Sequence, residues 1–462
     1  MKKKAFLAVL IALSTLLSAA GCGGGETVQK DDGAYERALS VYENGTQEMM
    51  IGAHGSPPAT AENFRQAKEM GLTHFYVDDY GPETLAAAEA AGLRLIVSSR
   101  NALGTENPSI DWSLDFSEEK YALVDAIGYY DEPMPDKFDL ISQWADKYNE
   151  KYDGNAQAPL FMVNLHPMDG FPNANFPDVT DEDYIRSFCE KVLSKIKNDR
   201  ILSYDLYPIR SLWQENESGK LVAVKNYVAA EWLRSLELMA KYSAEYGARA
   251  HAYLQTMGFW VPYDGGWTCR VPSEADIRLQ AYTSLAFGIR DFSHFAYWST
   301  DDYMSSYGYT LACTYLDGTP NDTYYAAKAV NEELLKLDST ILCFEHQGNM
   351  TFVGSENPEG MNTAFNMLRE SVSSLDAVSD VECTADTVIG QFRDGTNGYD
   401  GLVIVNYNET SDIINDTVEL TLKEGTGLAV FQRGEWKERR IIGGKVTLDL
   451  APGDGVFAIV LK

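Results

Sequence analysis

Basic residues are scarce in this chain: 38 lysines and arginines stand against 68 aspartates and glutamates, a formal net charge of −30. Such a field repels phosphate backbones and anionic membrane surfaces, which excludes nucleic acid as a partner. Cysteine is also sparse, six in 462 residues with no CxxC pair, and histidine numbers only six. No ligand spacing of the short helical kind occurs, so neither a metal nor a cofactor is expected. There is no internal repeat, no heptad run and no low-complexity segment beyond Gly23-Gly24-Gly25. What remains is a chain that is 45% hydrophobic, enough to bury at least one large core.

The only long apolar run, Ala5 to Leu17, follows Lys2, Lys3 and Lys4 and is too short to span a bilayer comfortably. It reads as an export signal over residues 1–21 rather than as part of the fold. The ending Ala19-Ala20-Gly21-Cys22 resembles the lipobox of bacterial lipoproteins. That resemblance implies diacylation of Cys22 and a cell-envelope location, with membrane contact through the N-terminal lipid only. Ordinary signal-peptide cleavage is the alternative. Residues 22–48 then serve as tether and lead-in.

From residue 49 short apolar runs alternate with amphipathic stretches of helical period, the pattern of βαβ units. Strands are predicted at 49–55, 73–79, 94–100, 124–132, 159–166, 200–208, 248–257 and 289–299, with a helix between 222 and 246 among the connections. Eight such units over residues 49–338 predict an α/β fold of the (β/α)8 TIM-barrel type, whereas a doubly wound sheet would more often stop at five to seven strands. After residue 339 short alternating strands punctuated by Asp394-Gly395, Glu424-Gly425 and Pro452-Gly453 predict a small all-β sandwich over 339–462.

Barrel chemistry sits at the C-terminal ends of strands. Period-2 alternation puts Ala126, Gly128, Tyr130 and Glu132 on one face of the fourth strand, so Glu132 is expected to face the lumen, held extended by Pro133. The same argument turns Asp205 and Tyr207 inward on the sixth strand. Asn164 and His166 share a face on the fifth, His54 ends the first and Asp78 ends the second. Structural readings stand beside these: Glu132 could pair with a barrel arginine such as Arg100, and Asp205 could cap the following loop. Trp260, Tyr263, Trp267, Trp298, Tyr303, Tyr307 and Tyr309 crowd the last two loops, where aromatic planes would suit the C–H faces of sugar rings.

Asp131-Glu132-Pro133 resembles the Asn-Glu-Pro motif of clan A glycoside hydrolases. The stretch from Arg278 to Gly288, followed by Phe295-Ala296-Tyr297-Trp298, resembles their last barrel unit, and Asp317-Gly318-Thr319-Pro320 leads into something similar to their closing helix. The resemblance implies a glycosidase with Glu132 as general acid and Asp205 as second carboxylate. Asn164 and Gln255 would then hold sugar hydroxyls, with Trp298 as the subsite floor and His54, Asp78, His166, Tyr207 and Trp260 in binding roles. One departure is serious: clan A enzymes carry a nucleophilic Glu near the end of strand seven, where this chain has Gln255. Either Asp205, or Asp78 or Asp79, supplies the second carboxylate, or the chain binds carbohydrate without cleaving it. A transporter's solute-binding lipoprotein would need two doubly wound lobes, which the eight-strand count opposes.

Overall fold

The computed structural model describes residues 33–99, 110–168 and 170–462. The export signal, Cys22 and Arg100 lie outside the described residues, as do the side chains of Tyr303 and Tyr307. The first eleven strands are β1 (Ile51–Ala53), β2 (His74–Val77), β3 (Arg94–Ser98), β4 (Val124–Asp131), β5 (Leu160–Leu165), β6 (Arg200–Tyr204), β7 (Ile209–Glu215), β8 (Leu221–Val228), β9 (Ala248–Gln255), β10 (Trp267–Cys269) and β11 (Asp291–Phe295). Among the described residues eight of them form one parallel sheet in the order β1-β11-β9-β6-β5-β4-β3-β2. Each lies within one of the eight predicted spans. Thr73 closes the circle: its N–H donates to Ile51 O at 2.9 Å while its hydroxyl accepts from Ile51 N at 2.8 Å.

The barrel has the two apolar layers its pattern demands. Met50, Tyr76, Ile96, Ala126, Leu160, Met162 and Ile201 fill the lumen. The alternate residues, such as Phe75, Leu95, Ile127, Phe161 and Leu202, pack outward against the helices.

Between β6 and β11 the chain departs from the simple repeat. Residues 222–228, expected to begin a helix, belong to strand β8, and the helix occupies Trp232–Tyr246. The alternation of Val222, Val224 and Asn226 against Lys225 and Tyr227 is a strand period, and β-branched residues favour it. A turn at Asn216–Gly219, in which Asn216 Oδ1 accepts from Ser218 N and Lys220 N, folds β7 onto β8. Strand β10 adds to the other edge of β7, giving a three-stranded antiparallel insert beside the barrel mouth.

The C-terminal strands are β12 (Glu345–Phe352), β13 (Val378–Cys383), β14 (Thr387–Arg393), β15 (Asp400–Asn406), β16 (Asp416–Leu422), β17 (Gly427–Gln432), β18 (Glu435–Arg440), β19 (Val446–Leu450) and β20 (Gly455–Leu461). They build a six-stranded antiparallel sheet, β12-β14-β15-β20-β17-β18, against a three-stranded one, β13-β16-β19. The larger sheet is buried on both faces. Ile389, Leu402, Ile404, Leu428 and Val456 face the smaller sheet, while Val388, Val403, Val405, Phe431 and Phe457 join the core shared with the barrel helices.

Helix Glu274–Ala286 lies directly on this sheet, and residues 276–286 are all buried. Glycines permit the approach: a Cβ on Gly390 would come within 2.0 Å of Ala286 O, and one on Gly455 within 2.2 Å of Tyr282 Cβ. The lead-in contributes helix Ala34–Ser40, with Ala34 and Ala38 buried, and Tyr42 donates its hydroxyl proton to Asp394 Oδ2 at 2.7 Å.

Candidate active site at the barrel mouth

Strand β4 carries the feature that organises the site. Gly128 pairs with Met162 and Tyr130 with Val163, so Tyr129 is an extra residue, a β-bulge. Both tyrosines turn to the helix layer, Tyr129 stacking on Phe161 at 4.2 Å and Tyr130 lying 6.2 Å from Trp144. The slip reverses the alternation beyond it, and Asp131 comes to sit opposite Asn164.

Glu132, expected to be extended, instead has φ 48°, a left-handed conformation that costs a non-glycine residue about 1 kcal/mol or more. Pro133 disfavours the right-handed alternative. The turn is pinned by Glu132 N–H donating to Asn164 O at 2.8 Å and by the Tyr184 hydroxyl donating to Pro133 O at 2.8 Å. Two adjacent acids, Asp131 and Glu132, thus line the same cavity.

Asp205, just beyond β6, is the third acid. Asn164 Nδ2 donates to Asp131 Oδ1 at 3.1 Å and to Asp205 Oδ1 at 3.2 Å, so one amide bridges two carboxyl groups. Burial pushes the Asp205 carboxyl well above its usual range, and the nearby negative charges of Glu132 and Asp131 push it further, against hydrogen bonds from Tyr207 and Asn164. Glu132 is raised by the same causes, burial and then Asp131, and eased by His166. Only 8% of Asp205 is exposed, whereas Asp131 and Glu132 open towards the mouth. Burial and the crowding of negative charge fall hardest on Asp205, the least solvated of the three, and favour its protonated form.

The cavity encloses about 620 Å³. Its walls are aromatic: Phe259, Trp260, Trp267, Phe295 and Tyr309 surround Tyr207, whose ring lies 4.8 Å from Phe259 and 5.6 Å from Phe295. Arg210, from the insert, places its guanidinium 3.9 Å from the centre of the Trp267 ring and bonds Glu231 at 3.1 Å. His54 stands 4.9 Å from Tyr76, its Nδ1 buried with no hydrogen-bond partner among the described residues; burial lowers its pKa, and Asp131 and Asp78 oppose this.

Glu132, Asp205, His54, Asn164, His166, Tyr207 and Trp260 therefore line one cavity. Other candidates, Asp78, Gln255 and Trp298 among them, do not. Asp78 is exposed just beyond β2 and is not among the lining residues, although its charge reaches His54. Gln255 is fully buried, its amide spent on backbone: Nε2 donates to Ile209 O and Arg270 O, and Oε1 accepts from Ile209 N. It moors the insert to the barrel instead of reaching a ligand.

Trp298 packs beside Tyr297 and over Gly318, because alternation fails after Phe295 and residues 297–298 bond to His54 O and Gly55 O outside the lumen. Phe295 takes the lumenal place instead. Asp131 was named only as the residue before the Glu-Pro pair, and Arg210, Phe259 and Phe295 were not singled out. Arg210 lay in an unrecognised strand, and Asp131 needed the bulge.

No protein-family model matches the chain, and no curated protein matches its sequence. Among solved structures, a β-galactosidase from the Antarctic haloarchaeon Halorubrum lacusprofundi aligns with 63% of this chain and 58% of its own, at 13% identity and a TM-score of 0.36. A GH30 endoxylanase from Clostridium papyrosolvens aligns over 91% and 98%, at 9% identity and 0.37. A glycoside hydrolase of family 5 from Bacteroides vulgatus aligns over 90% of each chain, at 11% identity and 0.42. At this distance none of them bears on what this chain does.

Proposed function

We propose that the chain is a glycoside hydrolase acting on oligo- or polysaccharide outside the cytoplasm, held at the cell envelope by a lipid on Cys22. The observation that carries this reading is the acid cluster. Burial and the charges of Glu132 and Asp131 hold the Asp205 carboxyl well above its usual range, inside an aromatic-walled cavity at the C-terminal end of a barrel. Glycosidic cleavage needs one carboxylic acid to protonate the leaving oxygen and one carboxylate to attack or to activate water.

Burial favours Asp205 as the acid and leaves the more exposed Glu132 as the second carboxyl group. That ordering reverses the roles which the Glu-Pro motif implies. Tyr207 and Asn164 orient Asp205, and the aromatic walls offer faces for sugar rings.

The test is hydrolysis of a panel of aryl glycosides and plant, algal and host polysaccharides by the fragment from Asp31, with Glu132→Gln alongside. Turnover in the parent, reduced at least about a hundred-fold in the variant, is expected. No turnover together with retained saccharide binding would instead make the protein a catalytically silent carbohydrate receptor.

Activity should also persist well above the ordinary carboxylate range of about 4, because a raised Asp205 pKa keeps the acid protonated as pH rises. An alkaline limb of kcat/KM falling near pH 4 would contradict the assignment of Asp205 as the acid.

A further inference from the structure

Polar residues run across the lumen at one level where packing alone would favour apolar ones. Asp131 on β4 is in register with Asn164 on β5, Asn164 with Ser203 on β6, and Ser203 with His251 on β9. Ser203, His251 and Ser293 on β11 are wholly buried, so each polar atom used must be bonded or be costly.

The orientation of Asn164 sets the direction of the bonds. Its NH2 donates to Asp131 Oδ1 at 3.1 Å and to Asp205 Oδ1 at 3.2 Å, which turns its carbonyl to Ser203. Ser203 donates its single proton to Asn164 Oδ1 at 3.0 Å. It must then accept from His251 Nδ1 at 2.9 Å, which leaves His251 Nε2 as an acceptor for the Ser293 hydroxyl, also at 2.9 Å. Burial holds His251 at about 4, so it is the neutral imidazole that a one-proton link requires. Gly52, in register with Ser293, keeps room for this end: a Cβ there would come within 2.6 Å of Ser293 Oγ.

We propose that Ser293, His251 and Ser203 form a positioning relay that locks the Asn164 amide with its NH2 towards the two carboxyl groups, and so governs how readily Asp205 ionises. The relay touches no substrate; it acts through Asn164. Other titratable groups near its far end are Asp291, Arg249 and His74, with the ring of Tyr253 5.2 Å from that of His251. Glu132, Asp131 and Tyr207 surround Asp205. The structural part stands alone, and only its consequence for turnover rests on the hydrolase reading.

Carboxyl-13C aspartate labelling, with the Asp205 signal assigned by its loss in Asp205→Asn, tests the relay without any substrate. Ser203→Ala and His251→Leu should each raise the Asp205 titration midpoint by about one unit, since a donor to the charged form is set free to turn away. His251→Asn, whose Nδ2 occupies the place of the imidazole Nδ1, should restore the wild-type midpoint. Loss of packing would affect both histidine variants, so the contrast between them isolates the hydrogen bond. An unchanged midpoint in Ser203→Ala and His251→Leu would overturn the relay, as would a His251→Asn shift equal to that of His251→Leu. Where the parent hydrolyses a glycan, kcat/KM should move along the pH axis with the same midpoint. Absence of turnover in the parent would count against the hydrolase reading alone.

Discussion

Asp205→Asn is expected to lower kcat on the order of a thousand-fold while making the folded protein more stable at neutral pH. The first half follows from the role proposed for the carboxyl group, since an amide cannot protonate a leaving oxygen. The second half follows from linkage. Burial, together with Glu132 and Asp131, lifts the Asp205 pKa in the folded state above its unfolded value of about 4. Between those two values the folded chain holds a proton that the unfolded chain has released.

Stability contributed by this residue is therefore undiminished below the unfolded pKa and declines as pH rises towards the folded pKa. An asparagine does not titrate, so it removes that decline, and its Oδ1 can still accept from Asn164. Urea unfolding at pH 4 and pH 7 reads the effect directly. The variant should match the parent at pH 4 and exceed it at pH 7; a variant less stable than the parent at pH 7 would mean that Asp205 is held ionised, as a structural anion.

What was legible in the sequence, and what was not, divides along physical lines. The eight barrel strands were legible because a parallel strand buried on both faces is an apolar run, and amphipathic helices separate such runs cleanly. The insert was not, because Val222 to Val228 merges with the apolar stripe of the helix that begins at Trp232. In the sandwich the central strands β15 and β20 stood out as hydrophobic runs, whereas Glu435–Arg440 is an edge strand whose charged side chains hide its period.

The site divides in the same way. Residue types at strand ends identified Glu132, Asp205, Asn164 and Tyr207 as candidates. Facing was less secure, because one bulged residue at Tyr129 reverses the alternation beyond it, so that Asp131, which strict alternation sets opposite to Glu132, lines the same cavity. Gln255 illustrates a further limit. Its chemistry excluded an anionic nucleophile correctly, but only the insert's backbone reveals that the amide never meets the cavity.

The second large effect concerns stability. Asp276→Ala should reduce the free energy of unfolding by about 3–5 kcal/mol, the range for breaking a buried ion pair from one side. Asp276 is fully buried and accepts from both terminal nitrogens of Arg270, at 2.6 and 2.7 Å. It also accepts from Ser273 N and Oγ at 2.7 Å as the capping-box partner of helix Glu274–Ala286, and from Thr410 Oγ1 at 2.5 Å on the sandwich.

One carboxylate thereby fixes a helix start, the end of the insert and a loop of the sandwich. Its removal leaves Arg270 with Glu409 alone, at 2.5 Å, and frees the strand whose carbonyl moors Gln255. The double variant Arg270→Met with Asp276→Ala should lose less than the sum of the two single losses, because the stranded charge is gone. Urea unfolding of the fragment from Asp31 measures all three. Additive losses would show that Arg270 and Asp276 act independently. A single variant as stable as the parent would leave the glycine-lined contact of helix Glu274–Ala286 with the sheet as the main tie between barrel and sandwich.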